Sequence, residues 1–166
     1  MSDEETAATN LRVGLALAHL DFLFSKEKSA QTDEVLWSLN FEDEDKDAAP
    51  PLRVQIRPSG EDVLIVCVAS DTIPEGPVLR ELLRLNGALG GAKVGINREN
   101  KLVAWSNVAA STFDAEQLKR TIGYVVTAAS DTRSILQGST AEEVLRMTLT
   151  MKGASEGKKR EKVPGK

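Results

Sequence analysis

Seven consecutive residues, Val63–Ala69 (VLIVCVA), form an unbroken apolar run between turn signals, Ser59–Gly60 on one side and Pro74 on the other. A run this short and this apolar reads as the central strand of a sheet, covered on both faces. The rest of the chain then has to supply neighbouring strands and at least one layer of helices.

The flanking segments meet that demand. Glu34–Phe41 alternates Val35, Trp37, Leu39 and Phe41 with Leu36, Ser38 and Asn40, the two-residue rhythm of a half-buried strand. Leu52, Val54 and Ile56 alternate with Arg53, Gln55 and Arg57, giving a strand with one wet face. Between these two, the acidic run Glu42–Asp47 and Pro50–Pro51 read as a solvated loop. Lys93–Asn97 and Lys101–Asn107 form a hairpin around Arg98–Glu99–Asn100.

Three longer segments have helical spacing. From about Thr6 to Lys28, two apolar series run in parallel: Leu11, Leu15, Ala18 and Phe22, and Val13, Leu17, Leu20 and Phe24. A stripe that wide belongs to a helix sandwiched between layers, or to one buried on one side and offered to a partner on the other. Pro74, Gly76 and Pro77 announce a new element, and Val78, Leu79, Leu82, Leu83 and Leu85 give a second helix that Gly90–Gly91 stops near Leu89. Asp114, with Gln117 three residues on, caps a third that runs to about Leu136. Thr140 and Glu143 cap a short helix over Ala141–Met151, and Gly153–Lys166 has no apolar period and is expected to be disordered. The expected fold is α+β, in the order α-β-β-β-α-β-β-α, with a twisted antiparallel five-stranded sheet and helices mainly on one face. The division is a domain over residues 1–138, an appended helix over 139–152 and a basic tail over 153–166.

With 166 residues, 41% of them hydrophobic, the chain can bury a core. A net charge of −4 lacks the basic field of a dedicated nucleic-acid binder. The start of the chain is acidic where a secretory leader requires basic residues. Leu11–Phe24 is too short and too polar to span a bilayer. Together these features are read as those of a bacterial cytoplasmic protein.

The segment Leu79–Ser130 carries a resemblance. Its helix "LRELLRLNGAL", hairpin "AKVGINRENKLVAWSNV" and Asp-capped "FDAEQLKRTIGYVV" resemble the helix, hairpin and closing helix of the YbjN-like proteins, bacterial sensory-transduction regulators that share a fold with class I type III secretion chaperones. The resemblance implies binding of another protein, often as a homodimer, without a cofactor. Two features depart from the pattern. Thr140–Lys166 extends beyond the family's minimal unit, and 21 basic residues against 25 acidic ones favour the YbjN-like side over the strongly acidic secretion chaperones.

No set of residues promises chemistry. His19, the single histidine, has no partner at metal-ligand spacing and reads as a packing or helix-surface residue. Cys67 lies in the apolar run and reads as core. Gly87–Lys93 resembles a phosphate loop only superficially. Ala92 and Val94 stand where Gly and Ser or Thr are needed, and the segment runs from helix to strand, the reverse of the required order. Asp43, Asp45 and Asp47 imitate a calcium loop, but Ala48 and Val54 occupy its glycine and bidentate-glutamate positions. The sequence therefore predicts no catalytic residue, no metal and no cofactor.

What remains is apolar surface. Val35, Trp37, Leu39, Leu17 and Phe24 are expected to form a groove between the first helix and the sheet that takes an extended segment of a client protein. Leu79, Leu82, Leu83, Val94, Ile96 and Trp105 are expected to form a homodimer interface. The rival readings are a small-molecule sensor domain and a nucleic-acid accessory protein using Lys158–Lys162.

Overall fold

The computed structural model describes residues 3–28, 34–42 and 50–147. The acidic run beyond Glu42, the aspartates at 43, 45 and 47, and the basic tail lie outside the described residues. Along the chain come α1 (Asp3–His19), β1 (Phe24–Lys28), β2 (Val35–Phe41), β3 (Leu52–Ser59), β4 (Asp62–Ser70), α2 (Pro77–Ala88), β5 (Lys93–Ile96), β6 (Leu102–Ala109) and α3 (Ala115–Leu136). A short helix, α4, follows over 141–147.

The six strands form one antiparallel sheet in the order β1-β2-β3-β4-β6-β5. Six strands replace the expected five because the first helix stops at His19, nine residues short of Lys28. The stop is a Schellman turn. Asp21 sits at φ 54, its N–H donates to Ala18 O at 3.3 Å, and the Phe22 N–H donates to Leu17 O at 3.3 Å. Asp is an uncommon residue in this left-handed position, which glycine usually fills, so the helical spacing of Leu20 and Phe24 ran on past the true end. Phe24 accordingly belongs to a strand and not to the helix.

All helices cover one face. Val54, Cys67 and Ala104 stand side by side across β3, β4 and β6 and are fully buried. Leu118, Ile122, Val125 and Ala129 of α3 join them in the core. On the same face, α1 packs over β2 and β3 at one flank, and α2 beside β5 at the other. Val63–Ala69 is central, as expected, but its burial alternates strictly. Val63, Ile65 and Cys67 lie under the helices, whereas Leu64, Val66 and Val68 are half-buried on a face that no helix of the described residues covers. The expected cover on both faces is therefore corrected to one.

The caps follow their residue types. The Gln117 N–H donates to Asp114 Oδ1 at 2.7 Å at the start of α3. Gly138, at φ 108, closes its end, where the Ser139 N–H reaches Ser134 O at 3.0 Å. In the β5–β6 hairpin, Asn97 Oδ1 accepts from the N–H groups of Glu99 and Lys101, at 3.0 and 2.9 Å, an Asx turn of the usual kind. Gly91 is needed where it stands, since a Cβ there would lie 2.1 Å from the Tyr124 ring.

Candidate binding groove at the α1–β1 edge

The groove is built around Trp37. Its position on β2 faces the helices, in register with Lys26 of β1 and Ile56 of β3, and it is 5% exposed. Its Nε1 donates to Asn10 Oδ1 at 3.4 Å. The Phe24 ring meets it edge-on with centroids 5.3 Å apart, and Lys26 Nζ lies 4.8 Å from the ring centroid. From above, α1 touches the indole at Gly14, where any Cβ would come within 2.7 Å of Cη2. Trp37 is thus the fixed floor on which the first helix and the edge strand meet.

At 100° per residue, Leu11 and Leu15 lie one step round the helix from Asn10 and Gly14, the residues that touch Trp37. They lie on the outer side of the helix, away from the buried Val13 and Leu17, and are 66% and 63% exposed. Ala7 and Ala18 share their stripe and are also exposed. Within α1, Val13 and Leu17 of one apolar series are fully buried, whereas Leu11 and Leu15 of the other are open. Leu23 follows the helix turn with 93% of its surface exposed. β1 itself, an edge strand, is exposed at all five positions. An exposed apolar stripe on the outer side of α1 and an open strand edge beside an aromatic and cationic floor are therefore both offered to solvent.

The residues expected to form this groove are distributed through its depth. Phe24 is half-exposed at the surface and Val35 is partly buried. Trp37, Leu39 and Leu17 lie beneath as core. Sequence reading did not single out Leu11, Leu15, Leu23 and Lys26 as site residues. The helical series held the first two, but nothing local said which series faces water.

The second expected cluster is divided by the sheet. Leu82 and Val94 are buried on the helix side, Leu79 is half-buried, and Leu83 is 71% exposed on α2. Ile96, 52% exposed, lies on the helix side of β5, because its register partner Leu102 shares the face of Ala104. Trp105, 39% exposed, stands on the opposite, helix-free face, in a row with Lys93 and Val66.

Among the described residues, no three His, Cys, Asp or Glu side chains are close enough to hold a metal ion. Burial pushes the Cys67 thiol up to about 11, against the opposing pull of Arg133. A cleft of about 700 Å³ opens between the start of α1 and the β3–β4 turn. Arg12 crosses it to donate to Ala110 O at 2.7 Å. No helix of the described residues is long and apolar enough to cross a membrane.

No protein-family profile matches the sequence, and no curated protein sequence matches it. Solved structures do match. One is SchA from the HopA1–SchA chaperone–effector complex, with a TM-score of 0.55 and 12% identity over 81% of this chain and 99% of that one. Another is SpcU from the heterodimeric ExoU–SpcU complex of the Pseudomonas aeruginosa type III secretion system. Its TM-score is 0.52, with 17% identity over 73% of this chain and 94% of that one. At such identities the likeness establishes architecture, and this chain has the α+β fold of type III secretion chaperones.

Proposed function

We propose that this chain is a non-catalytic protein-binding module that holds an extended segment of a partner at the α1–β1 edge and works as a homodimer. The observation that carries the reading is the open apolar flank of α1, Leu11 and Leu15, beside the fully exposed edge strand β1. An edge strand offers unpaired N–H and C=O groups to an incoming strand, and a neighbouring apolar wall receives its alternate side chains. Phe24 and Val35 contribute contact, while Trp37, Leu17 and Leu39 hold the floor. SchA and SpcU, which share the fold, are each described in complex with another protein. The YbjN-like regulators, resembled over Leu79–Ser130, and the class I secretion chaperones are the two functional types this reading admits.

We place the dimer on the outer side of α2 and the adjoining helix side of β5, with Leu79, Leu83 and Ile96 as its contact residues and Leu82 and Val94 packed behind them; Trp105, on the opposite face, is not part of that surface. No cofactor, metal or nucleic acid enters the reading, and the proposed location is the cytoplasm.

The test uses the native partner, identified by affinity capture and then purified. Leu11→Asp with Leu15→Asp alters two exposed positions, so folding is retained while an apolar wall becomes charged. Affinity is expected to fall at least about tenfold by calorimetry, the loss of roughly 1.4 kcal/mol of contact. Unchanged affinity in a folded double variant removes the groove from the proposal.

A further inference from the structure

The sheet has two edges, β1 and β5, and they are not equivalent. In an antiparallel pair, alternate residues of an edge strand turn their backbone groups away from the sheet. At Val94, in the middle of β5, both of these groups are taken by one side chain of α2. Asn86 Nδ2 donates to Val94 O at 2.9 Å, and the Val94 N–H donates to Asn86 Oδ1 at 2.9 Å. A carboxamide has the donor and acceptor layout of a peptide group, so this exchange copies the pair of bonds that a neighbouring strand would make. The strand is only four residues long, and beyond Ile96 the hairpin turn begins, with the Asn97 N–H bonded to Lys101 O at 3.0 Å.

Asn is also a poor choice for an α-helix on propensity alone, costing roughly half a kcal/mol against Ala. Its placement in the last turns of α2, facing β5, is explained by these two bonds and not by the helix. Sheet proteins commonly protect an edge by covering it with a helix or by short strands; here a single amide does so from a covering helix.

We infer that Asn86 is a specificity-determining residue. It closes the β5 edge to strand addition, by a second copy or by a partner, and confines an incoming strand to β1. The second half of this statement rests on the proposed function; the closure of β5 does not.

The full-length chain tests it with two variants, each checked for fold by circular dichroism. In Asn86→Ala, at a dilution where the chain is unassembled, hydrogen exchange at the Val94 amide is expected to rise by about tenfold, the equivalent of one lost hydrogen bond. Light scattering is expected to show assembly beyond the wild-type mass as the freed edge pairs between molecules. In Asn86→Leu the volume is nearly kept but neither bond can form. The same loss of Val94 protection on dilution and the same gain in mass are expected. Exposed Val94 without added mass in Asn86→Ala means that Asn86 is a tether only, and overturns the inference. Full protection of Val94 in either variant, folded and unassembled, overturns it as well. If Asn86→Ala does not fold, Asn86→Leu decides by its Val94 exchange and its mass. The wild-type mass reports separately on the proposed homodimer, and partner affinity of the Leu11/Leu15 double variant reports on the groove, so the readings fail independently.

Discussion

Gly14 and Trp37 show how one missing methyl group can place a helix. The indole is held by Asn10, Phe24 and Lys26 and cannot retreat cheaply, so Gly14→Ala sets an overpacking cost of about 1–3 kcal/mol against a helix-propensity gain of about 1 kcal/mol. A net loss of stability is expected, measured as a lower urea midpoint, together with a change in Trp fluorescence. Cys67 gives a second expectation. Its folded pKa is raised from 9.0 to about 11 by burial, so the native thiol should react with a disulfide reagent only as fast as the protein opens. A raised folded pKa means that its stabilising effect is complete below pH 9 and is lost as pH climbs from 9 toward 11. Cys67→Ala should flatten that part of the stability profile; an identical profile would show that the thiol is not its source.

At the scale of elements, α4 is tied in more firmly than a short terminal helix requires. Thr140 and Glu143 form a reciprocal capping box: the Thr140 N–H donates to Glu143 Oε2 at 2.8 Å, and the Glu143 N–H to Thr140 Oγ1 at 3.3 Å. From α2, Glu81 accepts the Ala141 N–H at 3.0 Å. Ala141 and Val144 are buried within the common core, so α4 packs onto the domain it follows. Thr140→Ala should cost about 1 kcal/mol, the usual loss of an N-cap. The bonds from Thr140 hold the Glu143 carboxyl below its ordinary range. A lowered folded pKa contributes stability above the unfolded value and loses it as pH falls through the folded one. Amide exchange over 141–147 should therefore quicken relative to α3 on acidification, and less so in Glu143→Gln.

At the scale of the whole molecule, the four helices of the described residues, all on one face, leave two kinds of surface for association: the opposite face that bears Trp105, and the outer sides of α1 and α2. Leu83 is the most exposed large apolar residue of α2, and its replacement tests the homodimer with little risk to folding. Leu83→Glu is expected to shift sedimentation from dimer toward monomer, with partner affinity at the α1–β1 groove retained. A wild-type chain that sediments as a monomer at high micromolar concentration would dismiss the dimer outright.

Much of this architecture was legible in the amino-acid order. The alternation of β2 and β3, the hairpin at Arg98–Asn100, the Asp114 cap and the Gly138 stop are short-range matters, set by side-chain period and turn chemistry within a few residues. The α1–β1 boundary was hidden because an aspartate took the left-handed position that glycine normally advertises. The choice between the two apolar series of α1, the single covered face of β4 and the separation of Trp37 from Trp105 depended on which surfaces meet across the sheet. Periodicity says that alternate residues face opposite ways, but only long-range packing decides which of those ways is inside.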